Sequence, residues 1–278
     1  MKALCFGSMN IDKIYSVDHF VSEGETIPCE TLNTAAGGKG LNQAVALSRA
    51  GVDTYMAGCI GPEDAILMDT LEANNVNTEN VVVGDDFISG HAIIQIDKRG
   101  QNSILVFRGA NLKVTEQQVI DTISKFSEGD YLLLQNEILM NKLIIDEAKE
   151  AGMIVVLNPS PVDKKIYELD FNKVDYLIMN ELEKQQLDDH LNDYPELKIV
   201  LTLGDKGSVY MDMDNTIKQE AYSVDAVDTT GAGDTFTGYF IAGIMQGRSV
   251  KDSMDLASRA SSIACTKLGA AKSIPELR

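Results

Sequence analysis

The sequence predicts an α/β fold built on a mostly parallel sheet that is covered on both faces. Three observations carry this. Continuous apolar runs of strand length, at Tyr131–Leu134, Met153–Leu157, Tyr176–Met179 and Lys198–Leu203, alternate with helix-like segments. Each run leads into polar or glycine positions (Gln135 to Glu137, Asn158, Asn180, Gly204), which parallel strands bring to one sheet edge, where ligands bind in such folds. With 278 residues, 44% hydrophobic content and only six prolines, the chain can bury a full core as one large domain, with or without a small appendage.

Taken in order, Ala3–Gly7 reads as a short buried strand leading to Asn10-Ile11-Asp12. If the chain stays extended there, Asn10 and Asp12 share a face, although both residue types also make ordinary turns. Gly37-Gly38-Lys39-Gly40-Leu41-Asn42-Gln43-Ala44 opens a helix that Gly51 stops. It is not a Walker loop, because Lys39 precedes Gly40 rather than Ser or Thr, and it lacks the third glycine of a dinucleotide fingerprint. Glycines here let a small polar ligand reach the backbone, with Lys39 and Asn42 as donors; a plain helix cap with a solvated lysine is the alternative.

A strand (Tyr55–Ile60), a helix (Ala65–Asn74) and a strand (Val81–Val83) follow. His91–Asp97 and Ser103–Phe107 alternate on either side of a glycine-containing turn, a hairpin out of rhythm with its surroundings and therefore an appendage or lid. Thr115-Glu116-Gln117-Gln118 has the form of a capping box, and a helix through Ile145 and Ala148 stops at Gly152. Small residues in the last helical run, Asp252–Lys267, fit tight packing better than a ligand.

The most informative stretch is Asp228-Thr229-Thr230-Gly231-Ala232-Gly233-Asp234-Thr235-Phe236. It lies between an alternating run, Ala221–Val224, read as a strand, and a helix from Thr235 to about Gln246. A glycine-rich turn beside the positive end of a helix dipole makes an anion site. Asp234 is a carboxylate set among those donors, which a purely structural turn does not need. A site that holds a transferring phosphoryl group and takes a proton from an incoming hydroxyl needs both, so the reading is a phosphotransferase.

Composition narrows the partners. Lys and Arg total 24 against 42 Asp and Glu, and a net charge of −18 argues against nucleic acid or an anionic membrane surface. Cys5, Cys29, Cys59 and Cys265 make no paired motif and read as reduced thiols; three scattered histidines make no zinc site. No signal peptide or membrane span is read, so a cytoplasmic protein is expected.

From about Gly7 to Pro275 the chain resembles the ribokinase family of carbohydrate kinases, the phosphofructokinase-B superfamily. The resemblance rests on Gly37-Gly38-Lys39-Gly40-x-Asn42-Gln43-Ala44, on Asp228-Thr229-x-Gly231-Ala232-Gly233-Asp234-Thr235-Phe236, on Asn10-x-Asp12 and on the inserted hairpin. It implies a three-layer α/β/α domain over 1–278, with a β lid from about 9–34 and 88–109. It also implies ATP-dependent phosphorylation of a small sugar's primary hydroxyl, with D-ribose favoured; another pentose, a ketohexose, a nucleoside and a non-catalytic sugar sensor are the alternatives.

In that family's pattern Asp234 matches the base, and the Gly231, Ala232 and Gly233 amides match the anion hole. Asn10, Asp12, Gly38, Lys39, Asn42 and Glu137 match sugar-binding positions. Asn180, Thr202, Gly204 and Gly233 match nucleotide contacts, and Glu183 a residue that organises Mg2+ through water. Asp228, Thr230, Ala264, Lys267, Gly269 and Ser273 match a loop that holds K+. The partners implied are a sugar and ATP, and lids of the family often pair as homodimers. Two departures stand out: the segment between Lys184 and Lys198 is short, and the usual last helix after Pro275 is missing, both bearing on the adenine pocket. Lys267 also stands where arginine is common.

Overall fold

A computed structural model describes residues 1–277; Arg278 lies outside the described residues. The chain begins β1 (Ala3–Phe6), β2 (Asn10–Ser16), β3 (Thr31–Gly37), α1 (Lys39–Arg49), β4 (Thr54–Ile60), α2 (Ala65–Ala73) and β5 (Asn77–Val83). It continues β6 (Gly90–Ile96), β7 (Asn102–Phe107), α3 (Glu116–Ile123), β8 (Tyr131–Gln135), α4 (Asn141–Glu150), β9 (Ile154–Asn158) and β10 (Tyr176–Asn180). It ends α5 (Glu181–Leu191), β11 (Lys198–Thr202), β12 (Ser208–Met211), β13 (Thr216–Gln219), α6 (Ala232–Met245) and α7 (Val250–Cys265).

Nine strands form the main sheet in the order β13-β12-β11-β10-β9-β8-β1-β4-β5. All neighbours from β11 to β5 are parallel, while β12 and β13 extend the edge antiparallel. Strand side chains alternate between two cores, as a period of two requires. Ala3, Cys5, Leu133 and Ile178 join the cluster under α1, α6 and α7. Leu4, Phe6, Leu134 and Leu177 join the one under α3, α4 and α5. Each buried leucine-sized side chain contributes roughly 1.5–3 kcal/mol, so the two-sided burial of these short strands accounts for their apolar runs. A second sheet of four strands, ordered β3-β2-β6-β7, stands apart from the first.

One close contact sets the site. A Cβ on Gly238 of α6 would lie 2.4 Å from the Ala46 Cβ and 3.0 Å from the Leu47 nitrogen of α1. Only glycine lets these two helices approach that closely, and both of their N-termini carry signature residues.

Three expectations are corrected. Ala221–Val224 is not a strand: Tyr222, Ser223 and Val224 are all exposed, so the alternation has no buried face to obey. The edge is instead filled by the β12–β13 hairpin, and the Tyr222 hydroxyl donates to Asp255 Oδ1 of α7 at 2.9 Å. Helix α6 begins at Ala232 rather than Thr235, because the Gly231 carbonyl accepts from both the Thr235 amide and its hydroxyl. The capping box at Thr115 is half made: Thr115 Oγ1 accepts from the Gln118 amide at 3.2 Å, but the Gln118 side chain donates to the Gly58 carbonyl. No helix is long and apolar enough to cross a membrane, among the described residues.

Candidate active site

Parallel strands deliver Asn158, Asn180 and Thr202 to one sheet edge, and the α1 and α6 N-termini deliver Lys39 and Asp234 opposite them. Together with Glu183 and Gly233 these residues line a polar cavity of about 140 Å³. Asp234 sits in the first turn of α6. Its Oδ2 accepts from Asn42 Nδ2 at 2.9 Å and its Oδ1 from Gln43 Nε2 at 2.9 Å.

The glycine turn departs from the expected donor set. The Ala232 amide donates to the Thr229 carbonyl at 3.2 Å, so it is committed within the turn. The Gly231, Gly233 and Asp234 amides have no partner among the described residues. The last two are the orphan donors of a helix's first turn. Asp234 therefore offers an amide as well as a carboxylate, which its side chain alone did not signal.

The N-terminal residues form the next group. Asn10 is buried, and its Oδ1 accepts from Asn111 Nδ2 at 2.8 Å; Asn111 Oδ1 in turn accepts from the Met9 amide. Asn111 is not among the residues that the sequence singles out, and nothing around it carries a motif. Glu137 follows β8 and accepts a short hydrogen bond from the Ser8 hydroxyl. Burial, and after it the charges of Glu137 and Asp234, push the Asp12 carboxyl up to about 6. Burial pulls the Lys39 ammonium down, but Asp234, Glu137 and Glu183 outweigh it and hold the group above its ordinary value. Lys39 is thus the cation that offsets a ring of carboxylates. Gly38 is the residue before α1, and its own Cβ would meet Asn10 and Ser8 backbone at 2.9 Å.

Asn180 and Glu183 make a complete capping box on α5. Asn180 Oδ1 accepts from the Glu183 amide, and Glu183 Oε2 accepts from the Asn180 amide, both at 2.9 Å. One Glu183 oxygen stays free in the cavity, which suits contact with a hydrated divalent ion rather than direct ligation. No group of three or more metal-ligating side chains exists among the described residues.

A larger cavity of about 530 Å³ adjoins the first and shares Thr202 and Gly233 with it. Gly204, Tyr222, Val224, Phe236 and Ser262 are among its walls, giving an apolar slot with polar ends. Gly204 and Thr202 thus lie where the two cavities meet the β11–β12 turn.

Behind the glycine turn, Asp228 Oδ1 accepts from the Thr230 amide at 2.9 Å and Oδ2 from the Gly269 amide at 2.9 Å. Burial pushes the Asp228 carboxyl up, but the Thr230 hydroxyl, which donates to Oδ1 at 2.6 Å, and after it these two amides overcome burial and hold the group below its ordinary value. The Ala264 carbonyl accepts from the Lys267 amide, and the buried Ser273 hydroxyl donates to the Ala270 carbonyl. The carbonyls of Thr230, Lys267 and Gly269 accept nothing from the described residues. A carboxylate and free carbonyl oxygens are the ligand type that hard cations take.

Comparison with known proteins gives matches along nearly the whole chain. The family model for pfkB family carbohydrate kinases matches residues 1–277. A ribokinase of Staphylococcus aureus (strain COL) is 31% identical, covering 99% of this chain and 97% of its own. The crystal structure of a ribokinase from Cryptococcus neoformans var. grubii serotype A in complex with ADP superposes with a TM-score of 0.87 at 31% identity, covering 99% of this chain and 96% of that one. An Arabidopsis thaliana ribokinase complexed with ribose and ATP gives 0.86 at 28% identity, again over 99% and 96%.

Proposed function

Because the chain belongs to the pfkB family of carbohydrate kinases, we propose that it transfers the γ-phosphoryl group of ATP to the 5-hydroxyl of D-ribose. The observation that carries this is the Asp234 carboxylate. It stands at the start of α6 in a polar cavity that opens, at Gly233 and Thr202, into a second cavity of nucleotide size.

ATP occupies the larger cavity with its adenine in the apolar slot and its phosphates at Thr202, Gly204, Asn180 and Gly233. The sugar lies at Asn10, Asp12, Gly38, Lys39, Asn42 and Glu137, its 5-hydroxyl toward Asp234. The hydroxyl oxygen attacks the γ-phosphorus, the bond to the β-phosphate oxygen breaks, ADP leaves and the proton passes to Asp234. Charge gathered on the phosphoryl oxygens is met by amides at Gly231, Gly233 and Asp234, and by that of Ala232 once it leaves Thr229. Such fixed donors supply most of what phosphoryl transfer asks of a protein.

Mg2+ neutralises phosphate charge when bound, and Glu183 would hold it through water. K+ would sit at Asp228, Thr230, Ala264, Lys267, Gly269 and Ser273, where it stabilises the turn behind the anion site. The four-stranded sheet, with residues 9–34 and 88–109, acts as a lid on the single domain. Its exposed Ile104, Leu105, Val106 and Phe107 support pairing with a second copy through that sheet. ATP as substrate and four unpaired cysteines support a cytoplasmic setting.

A panel of D-ribose, 2-deoxy-D-ribose, D-fructose and adenosine, assayed for ADP release, tests the substrate. The highest kcat/KM should fall on D-ribose; a higher value for adenosine would move the assignment to a nucleoside.

A further inference from the structure

Gln43 and Gln135 are both wholly buried, at 0% exposure, yet neither is an apolar core residue. Gln43 is the fifth residue of α1 and Gln135 ends β8, a central strand of the sheet. They are joined by a 2.7 Å hydrogen bond from Gln135 Nε2 to Gln43 Oε1. Gln43 Nε2 then donates 2.9 Å to Asp234 Oδ1. A carboxylate only accepts, so it must face the NH2 of Gln43, which leaves the Gln43 oxygen facing backward to receive the NH2 of Gln135. The direction of the whole chain follows from the charge at its end.

Burying two primary amides is unfavourable unless their bonds are made, and the Gln135 Oε1 has no partner. The backbone also accommodates this arrangement: a Cβ on Gly7 would lie 2.0 Å from that same oxygen, so glycine keeps the Gln135 amide in place. Neither amide lines the cavity, but the Gln43 oxygen is taken by Gln135, whereas Asn42, the other donor to Asp234, keeps an unpartnered Oδ1. The two donors thus have different duties.

We propose that Gln43, oriented by Gln135, is a positioning residue for the base: it fixes one oxygen of Asp234 from within the core, so that the other oxygen can exchange its Asn42 contact for the sugar hydroxyl. This rests on the reading of Asp234 as the base. One core amide would then decide which lone pair meets the substrate.

The test is the single-turnover rate of phosphoryl transfer, with KM for each substrate, in Gln43→Met and Gln135→Met, with Asp234→Asn alongside. Methionine keeps length and volume but removes the amide. Gln43→Met should slow the chemical step about ten- to a hundredfold, the range for loss of one hydrogen bond to a charged group, with KM for ribose and ATP within about threefold. Gln135→Met leaves the Gln43 donor but frees its orientation, so its loss of rate should go the same way and be smaller, again with KM nearly unchanged. Should Gln43→Met fail to fold, the rate in Gln135→Met still decides. Lower thermal stability with an unchanged rate of the chemical step would overturn the proposal and leave a structural role only. If Asp234→Asn itself turned over normally, the fault would lie with the base assignment instead.

Discussion

Asn42 and Asp234, 192 positions apart in the chain, meet through one 2.9 Å hydrogen bond from Asn42 Nδ2 to Asp234 Oδ2. This contact joins the N-terminal group of sugar positions to the C-terminal phosphate turn. It depends on the close packing of α1 on α6.

That packing is testable at Gly238. In Gly238→Val the branched side chain must enter space already held by Ala46 and Leu47. Overpacking of this kind costs about 1–3 kcal/mol, and the helix shift would part Asp234 from Asn42. Thermal denaturation should show the destabilisation, and activity below the melting range should fall at least about tenfold. Full activity would mean that the site tolerates separation of the helices.

Asp12 makes a pH prediction with a definite sign. Its folded value, about 6, is above the ordinary value of 3.8. Between those two values the folded state holds the extra proton, so its contribution to stability is present at low pH and is lost as pH rises through about 6. Asp12→Asn should therefore raise the melting temperature of the ligand-free protein at about pH 8 and make little difference at about pH 4. Ribose binding by the wild type should weaken as pH falls through about 6, if the ionised carboxylate is the acceptor; calorimetric titration across that range checks it.

Glu137 separates the two substrates. It lies on the Ser8 side of the site and lines neither cavity. Glu137→Ala should raise KM for ribose by about tenfold or more, as loss of a bond between a charged group and a hydroxyl does, and leave KM for ATP nearly unchanged. Equal effects on both would remove it from the sugar set.

The cation loop predicts salt specificity. At equal ionic strength, activity should be higher in K+ than in Na+, and Asp228→Ala should erase the difference. Equal wild-type rates in the two salts would contradict the K+ assignment.

Much of this was legible in the sequence, for physical reasons. The strands β8 to β10 are buried on both faces, so their apolar runs were unambiguous, and their polar ends marked the candidate ligand edge. The glycine turn was legible because Asp234 is out of place in a merely structural loop. What escaped was decided by packing. Gln43 stood inside a recognised signature, but only burial beside Gln135 gives it a direction. Asn111 orients Asn10 from 101 residues away without any motif. Ala221–Val224 had the alternation of a strand, yet β13 had already taken the sheet edge and no core lay beneath the segment. The commitment of the Ala232 amide to Thr229 is a turn detail that the residue types leave open.

The most direct test of the central claim follows the product. Wild-type protein and Asp234→Asn are incubated with ATP, Mg2+, K+ and D-ribose, and the phosphate ester is identified by phosphorus and carbon NMR. The wild type should yield ribose 5-phosphate and ADP in equal amounts. The variant should bind ribose yet lose about 10²–10⁴-fold in rate, the span of general base catalysis. Phosphorylation at another hydroxyl, no transfer to ribose at all, or a variant as fast as the wild type would contradict the account.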